Sequence, residues 1–335
     1  MMNKRIEYID LAKGICIMMV VYLHCTSDGG GFPFLESKLC TFRMPLYFIL
    51  SGLFFKEYGG FGHFLIKKVN KLLIPFLTFY FLIGIVMSYL YNLFFQNETH
   101  YFSLNYIFSF YYEHFNNMPN AIWFLLCLFE VNLLFYLLFM LSKVVNYSDV
   151  LLCIMSLLIG IGGYLMGVYN VNLPIWIDTS FSVVPFFCFG YILKQKTKFL
   201  YPNITDTYNI GLLFLCLVIV FILGDTVSYT DNYFSISFPS VYICGVLGSV
   251  AVLIFSKRII RVFIISYIGR YSIIVLIVHH PIVKLFNDFL FWRTSWLYNY
   301  TFFKFSIVLL VSIGLVPIMK RYAPYVTAQR ELIKI

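Results

Sequence analysis

Several residues able to do chemistry fall inside long apolar runs, where ionisable side chains are rare. The first run reads Asp10-Leu-Ala-Lys13-Gly-Ile-Cys-Ile-Met-Met-Val-Val-Tyr-Leu-His24. Lys13 and His24 lie 11 positions apart. At about 100° per residue that is close to three helical turns, so both side chains share one helix face, about 16 Å apart along the axis. One end of that face carries a cation. The other carries an imidazole, whose unperturbed pKa of about 6.5 suits general-base work. A plainer account has Lys13 snorkelling to the membrane surface and His24 bonded to water or a carbonyl at the interface. Spacing alone leaves both accounts open.

Other polar residues invite the same question, because a charge inside a span costs roughly 2.5–3.5 kcal/mol on insertion scales. His279-His280, followed by Pro281, reach the same depth as His24 if their span runs from the inner to the outer side. Two imidazoles with no third ligand make a weak metal site, and no metal is expected. Arg270 sits in Gly269-Arg-Tyr-Ser272, and Glu130 in an otherwise apolar span. Glu130 is expected to be protonated, paired with a basic group, or hydrogen-bonded between helices. Lys67, Lys68 and Lys71 form one cationic patch if helical. That patch is either an anchor on anionic lipid or a dock for a phosphate-rich cytosolic ligand.

The elements that must hold these residues are transmembrane helices. The chain is 61% hydrophobic and only 12% charged, against roughly 25% charged in soluble domains. Apolar runs recur along its length, and a bilayer core needs about 20 such residues per helix. The reading is an all-α polytopic membrane protein, one domain over 1–335 with its core at about 5–320. Its spans fall at about 9–27, 42–56, 72–95, 121–141, 150–168, 175–193, 208–225, 238–256, 263–285 and 300–319, about ten in all. The short second span points to tilt, partial burial or local thinning. The aromatic segment Tyr101–Tyr112 reads as interfacial.

With both termini in the cytoplasm, the outer loops receive only Lys38, Arg43, Lys284, Arg293 and Lys304 of the 24 Lys and Arg. That is the positive-inside pattern, and it accounts for the +9 charge without nucleic acid. No cleavage site follows the first span, so it is expected to stay. Neither a soluble appendage nor an internal repeat is apparent. Six of the 8 cysteines lie in apolar runs as small hydrophobes, whereas Cys25 and Cys40 flank the first outer loop and stay open to pairing.

Taken together, the segments resemble the acyltransferase 3 family of bacterial inner-membrane acyltransferases from about Arg5 to Lys320. The resemblance rests on Lys13…His24 with its Asp10-Leu-Ala-Lys13-Gly14 lead-in, and on Met44-Pro-Leu-Tyr-Phe-Ile-Leu-Ser51-Gly52. Lys68-Val-Asn-Lys71, Trp123-Phe124-Leu125 and Ser272…His280-Pro281 also match. The sequence departs from the family pattern in carrying Lys for Arg in the first and third motifs, which keeps charge but loses the bidentate fork.

The resemblance implies a fucose 4-O-acetylase-like, single-domain O-acyltransferase of the inner membrane. It would move an acyl group, usually acetyl, from cytoplasmic acyl-CoA to a hydroxyl of a glycan or lipid-linked sugar outside. His24 would then act as base or acyl carrier and Lys13 would assist. Lys67, Lys68 and Lys71 would hold the acyl-CoA, and Asp10, Ser51, Glu130, Arg270 and His280 would be further candidates. Membrane lipids are partners, acyl-CoA is the only co-substrate, and a homodimer stays open. The rival reading is a transporter or flippase, where intramembrane charges also mark substrate paths.

Overall fold

A computed structural model describes residues 6–26, 32–82, 121–145, 149–197, 208–287 and 301–334. The described chain is helical except for one small hairpin. In order it forms α1 (Glu7–Thr26), α2 (Pro33–Leu53) and α3 (Phe61–Lys68). The last runs through a π-helical turn (Val69–Leu73) into a helical stretch at 74–82. Then follow α4 (Trp123–Val144), α5 (Asp149–Val168), α6 (Ile177–Lys196) and α7 (Tyr208–Leu223). The hairpin pairs Val227–Ser228 with Tyr233–Phe234, antiparallel. The chain closes with α8 (Phe238–Ile259), α9 (Phe263–Arg270), α10 (Ser272–Leu285) and α11 (Thr301–Tyr322).

Among the described residues, six helices are long and apolar enough to cross a bilayer: α1, α4, α5, α6 with the turn before it, α8 and α11. The protein is an all-α polytopic membrane protein. In such a protein every backbone polar group must be satisfied within its own helix, which is why the sheet is confined to a two-residue ladder between helices. Prolines stand inside helices at Pro45, Pro185, Pro281 and Pro317, and the carbonyl freed by Pro45, that of Thr41, accepts the Tyr229 hydroxyl at 3.2 Å.

Helix α1 is the hub, packed against α2, α8, α9, α10 and α11. Two of the closest crossings are made by reciprocal glycines. At α1/α9, a Cβ on Gly14 would collide with the Ile265 carbonyl, and one on Gly269 with the Asp10 carbonyl. At α2/α6, Gly52 meets the Phe187 carbonyl and Gly190 the Ile49 carbonyl in the same way. Small residues that let backbones touch are the usual glue of membrane helix pairs, where lipid removes the hydrophobic drive.

Two sequence expectations are corrected. The span expected at 263–285 is two helices, α9 and α10, meeting at 90°. Tyr271 leaves helical geometry at φ −113°, ψ 29°, while its N–H still donates to the carbonyls of Tyr267 and Ile268. Hydropathy runs straight through this bend because both arms are apolar. The second helix begins at Pro33, not at 42: Pro33 starts the helix at its first turn, and Glu36, Lys38 and Arg43 lie within it, hiding that turn from an apolarity scan. The disulfide left open for Cys25 and Cys40 is not made, and both thiols are buried. The segment Tyr101–Tyr112 and most of the span expected at 72–95 lie outside the described residues.

Replacing Gly269 with Ala pushes a methyl group into the Asp10 carbonyl. Overpacking of this kind costs about 1–3 kcal/mol. The expected outcome is a lowered midpoint of thermal unfolding in detergent. Gly314→Ala, where nothing lies within 4 Å of the added carbon, should leave the midpoint unchanged.

Candidate functional site

Lys13 and His24 lie at opposite ends of α1, and each opens onto its own chamber. The His24 chamber has a volume of about 420 Å³ and is walled by Glu36, Cys40, Arg43, Trp123 and Tyr229. The Lys13 chamber, about 410 Å³, is walled by Ser51, Lys56, Tyr58, Lys68 and Lys71. Tyr47, Phe124 and Leu276 line both chambers. The two cavities are therefore stacked end to end along α1, with a partition of three side chains between them. The Tyr47 ring rests against Phe124 at 5.2 Å between centroids, and its hydroxyl donates to the Lys13 carbonyl at 3.3 Å.

The break after α9 brings α10 alongside the far end of α1. There three imidazoles converge. The His24 ring lies 5.2 Å from that of His279 and 5.0 Å, edge to face, from that of His280. His279 is fully buried. Its Nδ1 lies 2.9 Å from the Val275 carbonyl, which can only accept, so Nδ1 carries the proton. Nε2 is left as a bare acceptor and has no hydrogen-bond partner among the described residues. His280 meets both other rings edge to face, and among the described residues no three His, Cys, Asp or Glu side chains are grouped to hold a metal ion.

Across the same chamber stands Arg43, 8% exposed and paired with Glu36. Sequence reading counted Arg43 only as an outer-loop charge. Its place one residue before Met44-Pro45 was the signal that it belongs to the motif helix. Trp123 rests on Trp176 at 6.2 Å, and Trp176 and Ile175 both hold left-handed backbone, at φ 63° and 58°. Residues so strained cost about 1–3 kcal/mol each and persist where packing over-determines them. Here the strained turn seats an aromatic pair at the chamber wall.

At the other end the lysines separate. Lys68 is buried, with its ammonium 5.3 Å from the Phe64 ring centroid, and Lys71 lies on the chamber rim. Lys13 sits 5.8 Å from the Phe54 ring centroid. Lys67 does not line the chamber; it binds both carboxylate oxygens of Glu331, at 2.6 and 2.7 Å. Lys56, missed as a site residue, does line it. Burial, and then the neighbouring Lys71 charge, pull the Lys68 ammonium down to about 7.

Three other expected site residues lie outside both chamber walls. Asp10 and Arg270 pair with each other at 3.7 Å, bracing the α1/α9 crossing. Glu130 accepts a hydrogen bond from the Ser180 hydroxyl at 2.7 Å, the bond between helices that was one of its expected fates. Ser51 does line the Lys13 chamber, and His280 reaches His24.

An acyltransferase domain model matches residues 6–319. The chain belongs to the acyltransferase 3 family. No curated protein and no solved structure matches it. The protein is thus a membrane acyltransferase, and the transporter alternative gives way to a reaction.

The Lys68 shift has a consequence for stability. The unfolded chain keeps a lysine protonated to about pH 10.4, whereas folded Lys68 releases its proton near 7. Between these values the unfolded state binds more protons, so this group makes the fold more stable as pH rises from about 7 to about 10. Lys68→Met is expected to flatten that rise, read as unfolding midpoints in detergent across the same pH range.

Proposed function

We propose that the protein is an O-acyltransferase of the inner membrane, moving an acetyl group from cytoplasmic acyl-CoA to a sugar hydroxyl at the outer face. The acceptor is a glycan or a lipid-linked sugar. The observation that carries this reading is the pair of stacked chambers, one lined by Lys13, Lys68 and Lys71 and the other by His24, sharing Tyr47, Phe124 and Leu276. About ten spans with both termini cytoplasmic would set the lysine chamber toward the cytoplasm, in line with the positive-inside pattern.

In this scheme Lys68, Lys71 and Lys56 meet the donor's phosphates as point charges. Binding an anion favours the charged form of Lys68, so the donor would be taken up with a proton. The pantetheine arm, comparable in length to the Lys13-to-His24 separation of about 16 Å, passes the Tyr47 partition and presents the thioester to His24. The acceptor hydroxyl, a poor nucleophile at neutral pH, gives its proton to the His24 ring as its oxygen attacks the thioester carbonyl. The carbon–sulfur bond breaks, and the leaving thiolate takes the proton from His24. In the covalent variant His24 itself carries the acyl group between two such steps.

Aromatic Trp123 and the buried Arg43–Glu36 pair give the acceptor side a wall suited to a polar, ring-shaped substrate. His279 and His280 pack around His24 and limit its orientation.

His24→Ala is expected to lower transfer by at least about 10²-fold, the usual worth of a positioned base, with the protein still inserted. The measurement is alkali-labile acetate on surface glycans of a deletion strain complemented with wild-type or His24→Ala protein at matched expression. Full acetate with the mutant would sink the mechanism.

A further inference from the structure

The π-helical turn that presents Lys68 and Lys71 is held from outside by a single side-chain amide. Asn70 sits between the two lysines and is buried. Its Nδ2 donates to the carbonyls of Ile66 (3.1 Å) and Ile333 (2.9 Å). Its Oδ1 accepts the backbone N–H groups of Leu332 and Ile333, each at 2.9 Å. One amide therefore ties the turn to the segment 331–333, more than 250 residues away in sequence.

That segment is itself braced. Beyond α11 the chain turns back with the N–H groups of Gln329 and Arg330 both donating to the Pro324 carbonyl at 2.9 Å, and with Thr327 fully buried. Glu331 takes Lys67 in the two-oxygen pair already described. Tyr58, on the wall of the Lys13 chamber, lies within electrostatic reach of both Lys67 and Glu331.

We propose that Asn70 is a positioning residue for the acyl donor: by clamping the segment 331–333 against the π-turn it holds Lys68 and Lys71 at the mouth of the Lys13 chamber. The proposal rests on the reading that those lysines take the donor's phosphates. Its chemistry is specific. A π-turn is an uncommon and locally strained backbone that persists mainly at functional sites. Here the amide supplies both a donor and an acceptor to a neighbouring segment, a pairing that neither Ala nor Asp reproduces in full. Glu331 also draws Lys67 outward, which separates like charges and leaves Lys68 and Lys71 to join Lys13 and Lys56 in facing the cavity.

The test uses the purified full chain in nanodiscs, with coenzyme A and adenosine 3′,5′-bisphosphate as binding probes. Asn70→Ala is expected to weaken both by about tenfold, the scale of losing a buried clamp of hydrogen bonds. Deleting residues 332–335, which keeps Glu331 and its pair with Lys67 but removes both segment partners of Asn70, should weaken them by the same factor. Because both changes remove one interaction, the combined variant should bind no worse than either alone, the non-additivity that marks a shared mechanism. A general loss of structure would instead lower the unfolding midpoint and add in the double variant.

Lys68→Ala serves as the control for the donor reading. If wild type binds neither probe, or Lys68→Ala binds both as wild type does, the donor-site reading fails and takes this inference with it. If Lys68→Ala weakens binding while Asn70→Ala and the deletion stay within about twofold of wild type, the donor site stands and the clamp is refuted. Should Asn70→Ala not fold, the deletion, which leaves Asn70 in place, decides the question by the same criterion.

Discussion

The close approach of α1 to α9 is the constraint from which the site follows. Gly14 and Gly269 bring two backbones into contact that any side chain would hold apart. With α9 pinned there, and Asp10 paired with Arg270 at the same crossing, the chain cannot continue straight. It turns through 90° at Tyr271, and α10 rises along α1 instead of leaving it. That turn carries His279 and His280 to His24, and Leu276 into the partition between the chambers. A crossing of small residues at one end of the helix thus sets the geometry of the imidazoles at the other.

The second glycine crossing, α2 on α6, does a related job. Gly52 and Gly190 fix α2 by its backbone, and α2 carries side chains to both chambers: Glu36, Cys40 and Arg43 to one, Leu50 and Ser51 to the other, and Tyr47 to the boundary. A cavity system through a membrane protein must admit a reactant without standing open to water and ions. Three large side chains from three separate helices, α2, α4 and α10, meet that demand better than any one residue, because each is held by packing on its own helix. Polar groups buried around the chambers are accounted for in the main by bonds within the protein, as a lipid-surrounded fold requires. The bare Nε2 of His279 is an exception, and it stands beside the proposed base.

Electrostatics divides the same way. At the Lys13 end four lysines, Lys13, Lys56, Lys68 and Lys71, line one cavity while a fifth, Lys67, is drawn off by Glu331. Burial strips the Lys68 ammonium of hydration, a cost that an anion in the vestibule would offset. At the His24 end the one Lys or Arg among the described lining residues, Arg43, is paired with Glu36. One chamber is therefore rich in cations and the other has its cation paired with a carboxylate.

Much of this was legible from residue order. The 3.6-residue period placed Lys13 and His24 on one face, the hydropathy runs placed the helices, and the recurrence of motifs in order pointed to the family that the whole-chain match then established. These are local properties, carried by neighbouring residues on one helix. What the sequence could not contain is how helices meet. Arg43 read as a loop charge because its helix starts in polar residues. Lys67 read as a partner of Lys68 and Lys71 because adjacency says nothing of Glu331, 264 residues away. Asp10 and Arg270 read as site candidates, yet each is the other's partner in a helix crossing. The bend at Tyr271 was invisible because two apolar arms have the same hydropathy as one straight span. Composition and period determine which segments enter the membrane and which face of each is polar. Only tertiary packing, through backbone contacts at Gly14, Gly52, Gly190 and Gly269, decides which of those faces look at one another.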